Sequence, residues 1–488
     1  MPAGEKWRIE IPRHRGFAPK WFENTYPEYG NKAQAGNMKN VSLMDPSVLS
    51  PGPGVATLTD GDEAGAVTTL LKGILRQAVA TNVSYGIGGA KLYKFSATAV
   101  TNAGDWPHTI DKAAVTGELG EDVCHYQGKL LYSYNHSGSA GDIGMFDLTS
   151  TFDDDYWTAT LAGTALSDAV HQMIHGGDDV VYITNGQYIA NLNGTTENHQ
   201  ALDFWQNAVA ASLTWNYNRV VAAVNRPAIT GANVNQSAVY KWNGYSSSWE
   251  GDPIEVNGRI GALFTKNGLT YIWWETFMED GSTVLVFGIV AGSTVEPIAT
   301  FSGSLPLYYQ VGEIGNYVVW MSAEKMFCYG PLDGELPVDL TYLMTPTNTN
   351  TIGGIAAPFG EIMIASFNGT AAYDLQKESG YAVDSYYQTM QFPTSGRHAK
   401  SIVDTIIMNV DVLATGGRVD LTLTDNKGTS LWTDSLSFAT DGAVTKKIFH
   451  PRATGENFNL KYDHTNGSAT NPIKIRSTII EGRNIPST

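Results

Sequence analysis

Two histidines four residues apart, in His171-Gln172-Met173-Ile174-His175, have the spacing with which a helix presents two imidazoles to zinc. Gln172 stands where a zinc hydrolase carries the glutamate that activates water. The segment then runs straight into Gly176-Gly177-Asp178-Asp179, a turn that leaves too little length for a helix, so the pair reads as structural. Asp153-Asp154-Asp155 and Asp60-Gly61-Asp62-Glu63 offer carboxylates, but neither alternates ligands nor adds the distal bidentate glutamate of a tight calcium loop, and both read as solvated turns. Cys124 and Cys328 are too few for a four-ligand zinc set or a disulfide framework and read as buried free thiols. Glycoside hydrolysis needs paired carboxylates. Arginines that could orient a sugar beside them are sparse in the body of the chain (Arg76, Arg219, Arg226, Arg259), and no Ser-x-Asp-x-Gly-x-x-Trp turn, Gly-x-Ser-x-Gly elbow or phosphate loop occurs. These residues predict a chain without catalytic activity, cofactor or metal.

The elements that would position any such group recur along the chain. A five-residue signature appears at Lys91-Leu92-Tyr93-Lys94-Phe95 and returns around Phe146, Ala190, Tyr240, Phe287, Phe327 and Tyr373. Its second and fifth positions are apolar, and its third is aromatic everywhere except Ala190. Upstream of each signature lies an apolar run: 83–87, 129–134, 180–184, 220–224, 269–274, 317–321 and 362–365. Asn185-Gly186, Asp280-Gly281 and Asn368-Gly369 supply the positive φ of tight hairpins, and Asn193-Gly194, Asn267-Gly268 and Asp333-Gly334 mark further turns. Strand-sized units repeating every forty to fifty residues predict propeller blades, each a four-stranded sheet whose faces are buried by its neighbours. The apolar run is then the second strand of a blade and the signature the third. Thr68 to Leu75 is the expected closing strand for the blade around Tyr373.

Residues 1–60 combine prolines with Trp7, Phe17, Trp21, Phe22, Tyr26 and Tyr29 and show no sustained period. They predict an extended N-terminal arm. Burying each aromatic would contribute roughly 1.5–3 kcal/mol, so these six are the expected interaction residues, packed on the chain's own propeller or on a neighbouring subunit. Beyond Gly396 the strands alternate more cleanly, at 402–412, 419–423, 458–462 and 473–475, which predicts a small antiparallel β-sandwich. The expected organisation is all-β: arm 1–60, seven-bladed β-propeller 61–393 and β-sandwich 394–488.

With 31 basic against 48 acidic side chains, a net charge of −17 spread along the chain, the body should repel nucleic acid and anionic membranes. The first residues are charged and lack the apolar core of a secretory signal, and no apolar run is long enough for a membrane span, so synthesis in a cytoplasm is expected.

The leader Asn31-Lys32-Ala33-Gln34-Ala35-Gly36-Asn37-Met38-Lys39-Asn40-Val41, the stretch Leu49-Ser50-Pro51-Gly52-Pro53-Gly54-Val55-Ala56-Thr57-Leu58-Thr59-Asp60-Gly61, and the order arm, divergent propeller, sandwich together resemble virion proteins of tailed bacteriophages. The resemblance implies a non-enzymatic component of the tail (tube extension, tip or adsorption apparatus) that serves assembly and host attachment. It also implies localisation in the virion after synthesis in the host cytoplasm, with other tail proteins and identical copies in a ring as partners, and a host-surface glycan or receptor beyond them. The competing expectation is a carbohydrate-binding or glycoside-hydrolysing propeller that holds sugar on Trp273, Trp274 and Trp320 beside axial carboxylates.

Overall fold

The computed structural model describes residues 6–11, 13–15, 35–45, 47–60, 67–112, 117–136, 139–226, 236–277, 282–332, 339–347, 350–370, 372–393, 400–425 and 427–485. The chain is nearly all-β and divides into two units, Ala56–Glu324 with Pro346–Lys377, and Met1–Val55 with Lys325–Thr345 and Glu378–Thr488.

The larger unit is β-propeller-like, a succession of antiparallel sheets built mostly from four strands consecutive in sequence. Glu118–Tyr126, Lys129–His136, Ser139–Phe146 and Phe152–Asp153 make one. The next is Met173–His175, Val181–Asn185, Tyr188–Asn193 and Thr196–Asp203, followed by Val209–Asn216, Arg219–Asn225, Gln236–Trp242 and Glu250–Asn257. Arg259–Lys266, Leu269–Phe277, Thr283–Ala291 and Thr294–Phe301 form another. Val311–Ile314 pairs with Tyr317–Ser322, and Thr351–Ala356 with Met363–Phe367, which pairs onward with residues 373–377. At the beginning, Gly73–Ile74, Ser84–Gly88, Lys91–Phe95 and Ala99–Val100 pair in that order. The turn at Asn267-Gly268, with φ of 52° and 76°, joins its strands with the twist that two-residue hairpins require.

Each apolar run of the repeat is a second strand and each signature lies on a third. Second strands are buried on both faces, as in Lys129–His136 and Val181–Asn185, whereas the fourth strand Thr196–Asp203 alternates towards solvent. The aromatic signature positions Tyr93, Phe146, Tyr240, Phe287 and Phe327 are buried and Tyr373 partly so. Neighbouring sheets supply this burial. Tyr182 and Leu202 share a cluster with Leu213 and Tyr240 of the following sheet, and Val221 and Val239 share one with Leu263 and Ile272 of the next. Tyr93 and Phe95 of the first sheet share a cluster with Met363, Ala365 and Leu375 of the last, so the succession returns to its start.

The closing segment differs from the expected one. Gly73–Ile74 is the first strand of the first sheet, not an outer strand beside Tyr373; it is Leu58 whose amide bonds the Leu375 carbonyl at 2.8 Å. Thr68 to Leu75 instead reaches the last sheet at its first strand, where the Gly354 amide donates to Leu71 O at 2.8 Å.

The smaller unit holds two antiparallel sheets. In one, Lys6–Ile11, Ile475–Asn484, Ser401–Val410 and Lys446–Phe449 lie in that order, with Ala453–Gly455 also on Ser401–Val410. In the other the order is Ala35–Lys39, Tyr386–Thr389, Asn457–Asp463, Arg418–Asp425 and Ser430–Ser437. Strict alternation of buried and open positions in Asn457–Asp463 and Ile475–Asn484 buries one face of each, and the Tyr462 hydroxyl bonds Thr478 Oγ1 at 2.8 Å between them. Residues 6–11 and 35–39, within the stretch read as an extended arm, are strands of these sheets. Lys325–Gly330, which carries the sixth signature, is grouped with this unit and pairs with Asp339–Met344.

Candidate functional site: a cavity among the innermost strands

A cavity of about 480 Å³ lies within the larger unit and touches the first strand of every sheet described there. Ile74, Asp122 to His125, Met173 to His175, Thr214 and Trp215, Phe264 and Thr265, Val311 and Glu313, and Ile355 all line it. One cavity can touch strands spaced over 280 residues only if their backbones converge. Most of these residues lie towards the C-terminal ends of their strands, where the hairpin turns to the second strands begin.

A β-bulge shapes its acidic wall. The register of Glu118–Tyr126 on Lys129–His136 shifts between Gly120 and Asp122, leaving Glu121 as the extra residue, and such a bulge re-aims the side chains beside it. Asp122 Oδ1 accepts from Val123 N at 2.8 Å and Oδ2 from Met173 N at 2.8 Å. Burial pushes the Asp122 carboxyl up to about 7, against these two donors and Arg76. Glu121 is buried and meets Lys72 Nζ at 2.7 Å; burial raises its carboxyl and Lys72 opposes the rise. Tyr308 donates its hydroxyl to the Glu121 carbonyl at 3.0 Å and is itself buried.

The remaining wall mixes cations with aromatic faces. Arg76 presents its side chain to the cavity and lies over the Phe264 ring, 4.7 Å from its centroid. Crowding by the surrounding chain lowers its guanidinium pKa although the residue keeps exposed surface, and Asp122 and Glu313 oppose the shift. His125 is held below its usual value by burial and by His175, whose Nε2 sits 3.1 Å from Asp179 Oδ1. Trp215 stacks on Tyr182 at 5.8 Å and keeps part of its surface open.

The residues singled out in the sequence fare unevenly. Trp7 is half-buried on Lys6–Ile11, its indole so close to Gly482 that an added Cβ there would stand 2.3 Å from the ring. Phe17, Trp21, Phe22, Tyr26 and Tyr29 lie outside the described residues, as do residues 61–63. His171 is fully buried ahead of the strand that carries His175, so the two histidines sit on extended chain, not on a helix. Asp154, read as part of a solvated turn, gathers bonds from His108 Nε2 at 3.0 Å, Asp111 N at 3.0 Å and the Tyr132 hydroxyl. Cys124 and Cys328 are free and buried, and burial pushes the Cys328 thiol up to about 12. Trp273, Trp274 and Trp320 do not line the cavity: all three are buried, with Trp273 and Trp320 in ring contact at 5.6 Å. Arg76, Asp122 and Tyr308 went unremarked as site residues. For Arg76 and Asp122 the signal was faint, a charged residue or pair interrupting an apolar stretch ahead of a second strand; for Tyr308 there was none.

No protein-family model matches the sequence, and no curated protein does. Among solved structures the chain is similar to an exo-β-1,3-galactanase from Phanerochaete chrysosporium, at 9% identity over 88% of this chain and 99% of that one, with a TM-score of 0.32. It is similar also to a glycoside hydrolase, at 10% identity, 85% and 98% coverage and a TM-score of 0.28. Drosophila Semaphorin 1a, extracellular domains 1-2, gives 10% identity, 67% and 88% coverage and a TM-score of 0.42. The expectation of a chain without enzymatic activity is corrected here. Glycoside hydrolases stand among the structures it resembles, so the lack of a recognisable catalytic motif does not mark this arrangement as a non-enzyme. Similarity at this level carries no argument for any particular activity.

Proposed function

We propose that the chain is a seven-bladed β-propeller with a C-terminal β-sandwich, and that it takes a carbohydrate in the cavity among its innermost strands. The composition of that cavity carries the reading. A sugar offers apolar C–H faces and a rim of hydroxyls, and a site for it needs aromatic surface beside groups that both donate and accept. Trp215 and Tyr309 supply the first, and Arg76, Gln77, His125, Thr214 and Thr265 the second, around a volume within the range of small-molecule sites, about 300–1,000 Å³. The phage-tail setting that the leader implies belongs to the same proposal, with a host-surface polysaccharide as the glycan.

Hydrolysis is supported by Asp122. A carboxyl that holds its proton near neutral pH is what protonation of a glycosidic oxygen requires, and a second, ionised carboxylate must face it. Glu313, in the same lining and paired with Lys266 at 2.8 Å, is the group for that role.

The test exposes the intact protein to a panel of bacterial surface polysaccharides, with binding and release of reducing ends measured together. Binding that competes with soluble oligosaccharide and weakens in Trp215→Ala supports the reading. Release that Asp122→Asn abolishes supports the hydrolytic part. No binding to any glycan of the panel overturns both.

A further inference from the structure

The charges around the cavity are matched with one exception. Glu121 has Lys72 at 2.7 Å, Glu313 has Lys266 at 2.8 Å, His175 has Asp179 at 3.1 Å, and both oxygens of Asp122 accept backbone amides. Arg76 alone has neither an ion pair nor a hydrogen bond among the described residues. It lies over the Phe264 face, with the carboxylates of Asp122 and Glu313 acting on it only through space. The guanidinium keeps exposed surface in the cavity wall, and its five N–H donors in a planar fork are bonded to no other described residue and are left for a ligand. The chain as a whole, at −17, does not attract anions, so an anion would be held here by local geometry and not by the general field.

We propose that Arg76 seats the carboxylate of an acidic sugar, a uronic-acid residue, with the sugar ring against the open face of Trp215. This rests on the carbohydrate reading above and names its ligand class. A carboxylate fits the fork through two parallel N–H···O bonds, which a hydroxyl cannot do. Neutral residues of the same glycan would bind the aromatic and hydroxyl-bonding parts of the wall only.

The experiment titrates the full chain calorimetrically with galacturonate, sulfated galactose and neutral galactose oligosaccharides of equal length, using wild type, Arg76→Gln and Arg76→Lys. The expected result is uronate bound about tenfold or more tighter than the neutral sugar, with the ratio of the two affinities falling to near one in Arg76→Gln. Arg76→Lys keeps the charge without the fork and should retain only part of the preference, which protects the test if Arg76→Gln fails to fold. Equal affinity for uronate and neutral sugar overturns the proposal while the carbohydrate reading stands. Equal affinity for sulfated and carboxylated sugars overturns the carboxylate assignment. Binding of none of the three overturns the proposal together with the reading beneath it.

Discussion

Arg15 forks onto Asp339 within the smaller unit, Nε 3.0 Å from Oδ2 and Nη2 2.6 Å from Oδ1, and its carbonyl accepts the Tyr387 hydroxyl at 2.9 Å. Both side chains of the pair are largely withdrawn from water, at 22% and 14% exposure, so the fork is not an ordinary surface ion pair. Arg15→Ala should lower the free energy of unfolding by roughly 1.5–3 kcal/mol, since it removes two charge-assisted hydrogen bonds to Asp339. Arg15→Lys, lacking the planar fork, should restore less than half of this. Urea unfolding of the three proteins decides it; an unchanged midpoint in Arg15→Ala would show the pair to be incidental.

One residue earlier, His14 is enclosed between the rings of Tyr387 and Tyr462, both edge-on at 5.3 and 5.2 Å, and neither ring nitrogen has a partner among the described residues. Burial drives its pKa down to about 3 from 6.5. The imidazole is therefore neutral in the fold while the unfolded chain binds a proton below pH 6.5. The stability it allows is present above 6.5 and is lost as pH falls towards 3, with a slope approaching 1.4 kcal/mol per pH unit, or about 2 kcal/mol by pH 5. His171 and His464, each lowered by burial to about 4, add slopes of the same sign. His14→Phe should remove one such slope, so its stability relative to wild type should improve by about 2 kcal/mol between pH 7 and pH 5. A difference that does not vary with pH would contradict this.

The inter-sheet core should be sensitive to truncation at its largest rings. Trp320 contacts Trp273 at 5.6 Å and Phe287 at 4.7 Å and has no exposed surface. Trp320→Ala should cost about 3–5 kcal/mol because the surrounding sheets cannot collapse into the space. Trp205→Ala, at a site 40% exposed, should cost less. Calorimetric melting of both variants checks the order.

What the sequence made legible follows from burial. Second strands such as Val181–Asn185 are covered on both faces and read as unbroken apolar runs, and the signature read true because its aromatics face the neighbouring sheet. The strand Lys6–Ile11 was hidden because its partner, Ile475–Asn484, is almost a whole chain length away and only Ile9 and Ile11 mark its inner face. The tryptophans that looked like sugar platforms, Trp273 and Trp320, serve the core, since composition does not say which side of a strand meets a cavity. Arg76 and Asp122 meet in one cavity wall only because strands scattered over the whole larger unit converge there, and no local spacing encodes that.

Asp122 gives the last prediction, and its sign is opposite to that of the histidines. Its folded pKa, about 7, stands above the ordinary value of 3.8, so the fold keeps a proton that the unfolded chain has already released. The stability this contributes is complete below 3.8 and drains away as pH rises through 7, at up to about 1.4 kcal/mol per unit. The groups bearing on it are Arg76, which favours the charged form, and Glu121, which opposes it. Asp122→Asn cannot titrate. It should cost about 1–3 kcal/mol at low pH, because one backbone donor at Val123 or Met173 loses its acceptor. That deficit should shrink as pH rises from 4 to 7 while wild type pays for ionising the carboxyl. Unfolding free energies of the two proteins, measured at pH 4, 5.5, 7 and 8.5, give the difference directly, and the rising slope from the histidines cancels in it. A deficit that stays constant across the series would mean that Asp122 ionises in the fold at an ordinary pH, which would also remove it as the proton donor in glycoside hydrolysis.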